Sequence, residues 1–242
     1  MILLDGQTER DFGLIPLQGH IHPINTGIQH KTIKIPGMAG VHDIRTELAP
    51  KYFEFEFAIK EQDETTMQAK LNEFVAFLCD DTGRPRDIKL IFDYEPDKYY
   101  TVKLNNIIDP ERIRGFSRFS VSFVASDPYK YSTSPKIINM DNVAYNGGNC
   151  KATGTITIQI TEETDHIKVT LLNTGEFLYI EDDFDTGDIV VVDLEKEHIT
   201  KNSVSAMPNL YLESDFFEIP VGEFEISVNS GDGVLKFRER WL

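Results

Sequence analysis

The stretch Gly115–Ser132, GFSRFSVSFVASDPYKYS, decides the fold class of this 242-residue chain. Its first half alternates, with Phe119, Val121 and Phe123 on one side and small or charged residues on the other. A period of two residues is typical of an antiparallel strand with one buried face. Pro128 lacks a backbone N–H and restricts the residue before it, so the strand is predicted to end there.

Composition and charge change shortly after this strand, which predicts two domains, residues 1–135 and residues 136–242, with Ser132–Pro135 as the linker. Residues 1–137 hold 17 Lys+Arg and 20 Asp+Glu, a net charge of −3, whereas residues 138–242 hold 7 and 20, a net charge of −13. A half this acidic argues against binding to phosphate backbones or to anionic lipid. No apolar run approaches the roughly 20 residues that span a bilayer, and the N-terminus lacks the basic region of a signal peptide.

The clearest strand of the N-terminal half is Lys51–Lys60, KYFEFEFAIK. Alternation places Phe53, Phe55 and Phe57 on one face and acidic side chains on the other. Three phenylalanines on one face imply either a core or a tight contact between subunits.

A single helix is predicted over Glu64–Cys79. Asp63 is the expected N-cap, and Gly83 is the residue expected to end the helix. Apolar residues recur at steps of three and four, which predicts one buried stripe. The members of this stripe are Met67, Leu71, Phe74, Val75 and Leu78.

Three further segments of this half are expected to be extended. Thr32–Ile35 is a short strand closed by a Pro-Gly turn, and Ile88–Asp93 and Tyr99–Ile107 form a hairpin around the five-residue loop Tyr94–Lys98. The N-terminal domain is therefore predicted to be mostly antiparallel sheet with one helix against it.

The C-terminal half contains only predicted strands, separated by Gly- and Asn-rich turns, and this spacing indicates a β-sandwich. The predicted strands are Ile137–Met140, Ala152–Ile160, His166–Leu172, Phe177–Ile180, Asp188–Asp193, His198–Thr200, Phe216–Ile219, Glu223–Asn229 and Val234–Arg240.

Candidate chemistry is sparse. The acidic run Glu181–Asp188 offers oxygen ligands for calcium, but the twelfth position counted from Asp183 is Leu194 rather than the carboxylate of an EF-hand, and a turn between strands explains the run equally well. His20 and His22 are two residues apart, so on a strand both imidazoles would face the same side and could start a metal site. The alternative is that both are exposed loop histidines. No nucleophile elbow, P-loop or dinucleotide fingerprint occurs, and the sequence predicts no enzyme, no cofactor and no metal.

Several segments, in their order along the chain, resemble the distal tail proteins of long-tailed phages that infect Gram-positive bacteria, the Siphovirus-type tail component family. The resemblance covers most of the chain, and the order and spacing of the segments carry it. These segments are Ile35-Pro36-Gly37 before the strand Tyr52–Lys60 and its helix, Val121–Tyr131 with its Asp-Pro-Tyr ending, Leu172–Gly175, Gly187–Asp193, and Asp215–Ile226.

The resemblance implies a structural role. The N-terminal domain is expected to resemble a tail-tube subunit and to close into a hexameric ring, and the C-terminal domain is expected to be a galectin-like β-sandwich. Such a ring joins the tail tube to the baseplate or tail tip and lets DNA pass without specific binding. The implied partners are the tail tube protein, a tail-associated or tail-fibre protein and a receptor-binding protein; the implied location is the virion tail tip, after assembly in the host cytoplasm.

Ring contacts are predicted on the Lys51–Lys60 strand, the helix and the Ile88–Ile107 hairpin. The predicted contact residues are Phe53, Phe55, Phe57, Tyr94, Tyr99 and Tyr100. The alternative function is a carbohydrate-binding β-sandwich module that aids adhesion to the host surface, since sugar sites display aromatic side chains. The aromatic candidates for such a site are Tyr179, Tyr211 and Trp241.

Overall fold

The computed structural model describes all residues, 1–242, and divides them into two compact units. The first unit contains Met1–Lys130 and Leu242, and the second contains Tyr131–Trp241. The chain is mainly β, as the sequence predicts, with one α-helix. None of its helices combines the length and apolar character needed to cross a membrane. The division into two domains, residues 1–135 and residues 136–242, stays a prediction.

The first unit is built on one antiparallel sheet, with the strand order β2-β1-β7-β8-β10-β6-β3 and with β9 beside β10. Its elements in chain order are β1 (Ile2–Leu4), β2 (Gln7–Thr8), β3 (Ile15–Pro16), β4 (Ile28–Ile33), β5 (His42–Leu48), β6 (Lys51–Lys60), α1 (Glu64–Leu78), β7 (Ile88–Phe92), β8 (Glu95–Leu104), β9 (Glu111–Ile113) and β10 (Phe116–Ala125).

Strands β6 and β10 are neighbours in this sheet, and β10 comes from the stretch Gly115–Ser132 with which the sequence analysis begins. They pair antiparallel along their whole lengths, from Phe116 opposite Lys60 to Ala125 opposite Lys51. The predicted faces are confirmed, because the alternating apolar residues of both strands point into the same core. The cross-strand pairs in this core are Phe119 with Phe57, Val121 with Phe55, and Phe123 with Phe53.

The helix α1 covers this apolar face. Asp63 is the N-cap, and its carboxylate accepts a hydrogen bond from the backbone N–H of Thr66. Phe74 is fully buried and its ring meets that of Phe57 edge-on at 6.3 Å. One member of the predicted stripe is wrong, because Val75 is 37% exposed. The helix ends at Leu78, one residue before the approximate predicted end, with Cys79 as its C-cap.

The helix ends earlier than predicted because the chain turns into an extended conformation at Cys79, the C-cap residue. The backbone N–H of Arg86 then bonds to the carbonyl oxygen of Leu78, and Cys79 forms a β-bridge with Pro85. Gly83 lies in the turn that makes this return possible, with a φ of 79°, rather than at the helix end.

The hairpin of β7 and β8 also differs from its prediction. Phe92 pairs directly with Glu95, so the connecting loop is Asp93-Tyr94 and not the five residues 94–98. The register shifts between Leu90 and Phe92, which leaves Pro96 in an irregular part of β8. A proline without a donor is tolerated in such a bulged stretch, so the strand begins earlier than its Pro suggests.

Strands β4 and β5 pair only with each other and form a two-stranded hairpin. We call residues 27–49 the ribbon. The predicted strand Thr32–Ile35 lies partly within β4, which begins earlier, and β5 was not predicted. Every residue of the two strands is exposed except Glu47, which is half-buried.

The second unit is a β-sandwich of two antiparallel sheets, with the orders β12-β21-β14-β17-β18-β19 and β13-β20-β15-β16. Its elements, starting with a strand at the boundary, are β11 (Lys130–Ser132), β12 (Lys136–Asn139), β13 (Val143–Asn146), β14 (Gly154–Gln159), β15 (Thr164–Leu171), β16 (Phe177–Phe184), β17 (Ile189–Asp193), β18 (His198–Lys201), β19 (Val204–Ser205), a 3₁₀ turn (Met207–Asn209), β20 (Gly222–Val228), β21 (Asp232–Phe237) and β22 (Arg240–Trp241).

Most predicted strands of the second unit are present with ends shifted by one or more residues. Phe216–Ile219 is not a strand and keeps only a single bridge, from Ile219 to Ala152. β16 continues to Phe184, so part of the acidic run predicted to be a turn is strand. The core lies between the two sheets and is lined by the inward apolar residues of both, including Ile156, Val192, Val169, Leu178, Phe224 and Leu235.

Candidate assembly surface

The six predicted contact residues do not share one surface. Phe53, Phe55 and Phe57 are buried in the core of the first unit, and so is Tyr100. Tyr99 is also buried, and its ring lies 5.0 Å from the ammonium group of Lys89. Tyr94 is 57% exposed. The three phenylalanines therefore form a core, the first of the two alternatives left open by the sequence. Of the six side chains, Tyr94 is the one exposed to solvent. That this region contributes to ring contacts stays a prediction.

His22 joins Tyr94 to the buried aromatic cluster. Its ring stacks on that of Phe92, with centroids 4.1 Å apart and planes 6° apart, and its Nδ1 is hydrogen-bonded to the hydroxyl of Tyr94. Burial lowers the pKa of His22 to about 4, with the charge of Lys51 acting in the same direction. The imidazole is therefore neutral near pH 7 and packs as an aromatic ring.

His20 has a different environment from His22, although both flank the bridge between Ile21 and Glu54. It is exposed, and its ring lies over Phe55 with centroids 6.3 Å apart. No group of three or more His, Cys, Asp or Glu side chains in residues 1–242 is arranged to hold a metal ion. The two histidines thus have aromatic neighbours in place of further ligands.

Lys51 is a buried charged residue that the sequence pattern alone did not single out. It is only 1% exposed, and its ammonium group donates to the hydroxyl of Tyr100 at 2.9 Å and to the carbonyl oxygen of Ile24 at 3.2 Å. Burial lowers the pKa of Lys51 to about 8, and the nearby charge of Lys130 lowers it further. The alternation of β6 places Lys51 on the same face as Phe53, and this signal would have identified it.

The ribbon begins just after Ile24 and ends just before Lys51, so this buried lysine fixes its base. Thr26 adds a second link, because its hydroxyl bonds to the carbonyl oxygen of Ala49. Beyond this base the ribbon has no partner strand. An isolated two-stranded hairpin is marginally stable in water, so the ribbon is suited to a bound partner.

The side chains of the ribbon combine apolar and basic character. The exposed apolar residues include Ile28, Ile33, Ile35, Met38, Val41, Ile44 and Leu48. Lys31 and Arg45 both pair with Glu47, the former at 2.8 Å. Lys34, in contrast, has no hydrogen bond or ion pair and stands between two exposed isoleucines.

A pocket of about 130 Å³ opens on the first unit. Its walls are mostly apolar, and it is lined by Met1, Ile2, Glu9, Pro16, Leu17, His20, Phe55, Glu56, Phe57, Phe92, Asp93 and Tyr94. Glu9 is 1% exposed; its Oε2 accepts a hydrogen bond from the backbone N–H of Ile2 at 3.2 Å, while its Oε1 has no partner. A buried oxygen without a donor is costly, so Oε1 of Glu9 is an unsatisfied polar atom of the first unit.

A lysine side chain, Lys201, forms ion pairs with the acidic run of the second unit. The ammonium group of Lys201 lies 3.5 Å from a carboxylate oxygen of Asp182 and 3.3 Å from one of Asp188. Hydrogen bonds from Asn202 and from the backbone of Asp185 lower the pKa of Asp188. The ammonium group of Lys201 therefore lies beside the carboxylates of Asp182 and Asp188, which are the groups that would bind a calcium ion.

Aromatic side chains also meet on the second unit. Tyr179 stacks on His166 with centroids 5.1 Å apart, and Tyr211 meets Tyr179 edge-on at 5.7 Å. Tyr211 is exposed. Burial raises the pKa of Tyr179, and the nearby charges of Glu181 and Asp165 raise it further. Trp241 lies in β22 and is not in this group of ring contacts.

Comparison with known proteins gives consistent matches for both units. Residues 8–125 match the family described as the phage tail protein RIFT-related domain, and residues 147–241 match the Siphovirus-type tail component, C-terminal domain. The chain is 24% identical over 161 residues to the distal tail protein of Bacillus phage SPP1, a match that covers 64% of this chain. It spans 62% of that relative, which is less than two thirds of its length.

Among solved structures, the chain is similar to the crystal structure of the SPP1 Dit protein, which is described as a paradigm of the hub adsorption apparatus in phages that infect Gram-positive bacteria. The TM-score is 0.82 with 20% identity, over 100% of this chain and 98% of that one, so the two share a fold. A chain from the phage P2 baseplate in its activated conformation with Ca has a TM-score of 0.49 and 10% identity over 94% of this chain and 90% of that one.

Proposed function

Because the chain belongs to the Siphovirus-type tail component family, we propose that it is a structural distal tail protein whose first unit closes into a hexameric ring at the tail tip. The observation that carries this proposal is that two phage tail families match residues 8–125 and 147–241, in the order RIFT-related domain and then C-terminal domain. The shared fold with the SPP1 hub protein supports the same conclusion.

The geometry of the first unit supports assembly through unlike surfaces. Its sheet ends in the two-residue strands β2 and β3, which leave little edge for pairing with another chain. The ribbon projects apolar side chains that this chain does not cover. A protruding element that binds a different patch on a neighbour gives a head-to-tail contact, and such contacts close into rings when the rotation permits.

Charge supports the passage of DNA through the ring without specific binding. The chain carries a net charge of −16, and acidic surfaces repel phosphate backbones. We infer that the ring bridges the tail tube to the baseplate, with a tail-associated or tail-fibre protein and a receptor-binding protein as further partners. On this view the protein acts through assembly and performs no catalysis, and it reaches the virion after folding in the host cytoplasm.

The test is the assembly state of the purified full chain, measured by light scattering after gel filtration and by negative-stain imaging. We expect six-membered rings, single or paired back to back. Open-ended stacks would instead identify a tail-tube subunit. A chain that stays monomeric at every concentration, or that is absent from mature particles probed with antibody, would refute the proposal.

A second candidate function, binding of sugars by the β-sandwich, is favoured by one observation, the ring cluster of Tyr179, His166 and Tyr211. Stacked aromatic side chains at a surface suit the apolar face of a sugar, and neighbouring carboxylates suit its hydroxyls. A glycan array probed with the full chain tests it. Signal that disappears in Tyr179→Ala but persists in Tyr145→Ala, an exposed tyrosine on β13, would support it; no signal would refute it.

A further inference from the structure

We propose that the outer edge of β13, in the second unit, is a docking site for an extended segment of another protein, one that alternates basic and apolar side chains and adds to the four-stranded sheet as a fifth strand. The site goes beyond the ring assembly proposed above and does not depend on it, because its residues all belong to the second unit. Recognition of this kind combines main-chain hydrogen bonds with contacts from alternate side chains.

The backbone of β13 has one side without a partner. The strand lies at the end of its sheet and pairs only with β20, where Val143 is opposite Glu225. The N–H of Glu225 donates to Oδ1 of Asn173, and its carbonyl oxygen accepts from the N–H of Leu172, so both groups point away from β13. Val143 and Glu225 are therefore a pair without mutual hydrogen bonds, and the N–H and C=O of Val143 point outward.

The same arrangement recurs two residues further along β13. Tyr145 is opposite Glu223, whose carbonyl oxygen accepts a hydrogen bond from Nδ2 of Asn173 at 3.2 Å. The ammonium group of Lys136 donates to the outward carbonyl oxygen of Tyr145 at 3.0 Å. The edge therefore offers two N–H groups, those of Val143 and Tyr145, and the carbonyl oxygen of Val143. Unpaired groups in such a row form a template for a further strand.

The opposite edge of the same sheet, β16, is closed by the chain itself. The N–H of Tyr211 donates to the carbonyl oxygen of Tyr179 at 2.8 Å, and the N–H of Asp215 donates to that of Phe177 at 3.0 Å. The N–H of Tyr179 donates to Oγ of Ser214 at 2.9 Å. Strand addition to this sheet is therefore open at β13 and blocked at β16.

The face of the sheet beside the open edge displays apolar side chains around acidic ones. Val143, Tyr145 and Leu172 are each more than half exposed. The register places Glu225 between Val143 and Leu172 across three strands, and these residues line a depression of about 260 Å³. Glu223 and Glu225, both on β20, form no ion pair within the chain. A partner that brings positive charge on an apolar stem would satisfy both features of this face.

Distance and charge define the side chains of the added strand. It would lie two strand spacings, about 10 Å, from β20. A lysine or arginine beside Val143 or Tyr145 can lay its stem across that side chain and reach the carboxylate of Glu225 or Glu223. The net charge of −13 over residues 138–242 favours a basic segment as well. The alternate side chains would face Ala144 at the rim of the core, so they should be apolar.

The probe is a capped, fluorescently labelled peptide of alternating valine and lysine, about eight residues long, which is within the range of ordinary strands. Fluorescence anisotropy with the purified full chain should show saturable binding that weakens as salt is added, and a peptide of alternating valine and glutamate should not bind. Hydrogen exchange, read by mass spectrometry at single-residue resolution, should show that the peptide protects the amides of Val143 and Tyr145. The amide of Ala144 faces β20 and should be protected with and without peptide.

Two substitutions separate backbone pairing from charge. Val143→Pro removes an outward N–H and no bond to β20, and Val143→Ala is its matched control because it keeps the N–H. The dissociation constant of the valine–lysine peptide should be about tenfold higher for Val143→Pro than for Val143→Ala. Glu225→Lys should raise it by about tenfold, whereas Glu213→Lys, at an exposed position of the same unit, should change it by less than about twofold. Thermal unfolding checks that each variant is folded.

The outcomes that would overturn the proposal are specific. One is equal affinity of Val143→Pro and Val143→Ala for the peptide, and another is the absence of wild-type binding up to about 1 mM peptide. If the chain pairs with itself through β13, so that Val143→Pro lowers its mass in light scattering and the peptide does not bind, the occupant is a second copy and the proposal is wrong. Ring formation by the wild-type chain is measured without the peptide, so the proposed function and this inference can fail independently.

Discussion

Lys51 allows a prediction of how the stability of the first unit depends on pH. The residue is buried, its pKa is lowered from 10.5 to about 8, and an unfolded lysine titrates near 10.4. Between these values the unfolded chain binds more protons than the folded one, so the free energy of unfolding rises with pH. Below about pH 8 both states are protonated and the cost of burying the charge is fully present.

The expected magnitude follows from the same two values. Integrating the linkage relation from pH 7 to pH 9.5 gives about 2 kcal/mol of added stability from Lys51 alone. The variant Lys51→Met keeps most of the volume of the stem and removes the titrating group, so its stability should lack this component. At pH 7 the variant loses two hydrogen bonds of about 1–2 kcal/mol each but avoids burying a charge, so the net change there should be small.

The assay is urea unfolding followed by circular dichroism, at pH 7 and at pH 9.5, with the transitions of the two units fitted separately where they separate. For each protein, the free energy of unfolding at pH 7 is subtracted from that at pH 9.5, and the result for wild type is compared with the result for the variant. The contributions of the other titrating groups largely cancel in this comparison. Lys60→Met, at the exposed opposite end of β6, is the matched control and should behave as wild type. A difference below about 0.5 kcal/mol between wild type and Lys51→Met would refute the reasoning.

Three further substitutions probe the fold. Phe74→Ala should destabilise the first unit by about 3–5 kcal/mol, because it leaves a cavity under the helix, whereas the exposed neighbour change Val75→Ala should cost less than about 1 kcal/mol in the same urea titration. Asp63→Ala removes the N-cap and should cost about 1 kcal/mol, read as a lower urea midpoint with an unchanged slope. Gly231→Ala should cost about 1–3 kcal/mol in the thermal unfolding of the second unit, because φ is 84° and the added Cβ would lie 2.5 Å from the carbonyl oxygen of Gln159; an unchanged melting temperature would contradict this.

The parts of the fold that the sequence predicts well are those in which one face is buried and the other is not. In β6 and β10 a period of two runs through Phe55 and Val121, which are buried while their immediate neighbours are exposed or half-buried. Ala58, which is also buried, interrupts this period near the end of β6. The stripe of α1 is predicted for the same reason. Val75 is the exception, because a helix stripe wider than the surface it covers leaves its outermost member in solvent.

Most of the ribbon, of which only Thr32–Ile35 is predicted as a strand, is missed for the opposite reason. No residue of β4 or β5 is buried, so neither face has a consistent apolar period. In β5, Ile44 is followed by Arg45 and Thr46, and no alternation is visible over its seven residues. Periodicity records which face a chain buries against itself, and it carries no signal for an element whose two faces are both exposed.

The candidate site is predicted in part. The aromatic strand is located correctly, but the distinction between a core and a subunit contact depends on which elements cover Phe53 and Phe57, and that is a property of the tertiary fold. Lys51 shares their face and could be found by alternation alone. The pairing of Glu9 with the backbone of Ile2, and the resulting unpartnered oxygen, depends on a turn near the chain start that no local pattern specifies.

The form of the ribbon also indicates how it would bind. Both of its strands are edges, and an exposed apolar edge invites uncontrolled pairing with other strands. The ladder is interrupted by a register shift between Lys31 and Thr32, and the tip carries Lys34 and Pro36. A bulge, a charge and a proline are the devices that block strand addition. An element that is protected in this way, yet displays exposed isoleucines, is suited to contacts through its side chains rather than to extension of another sheet.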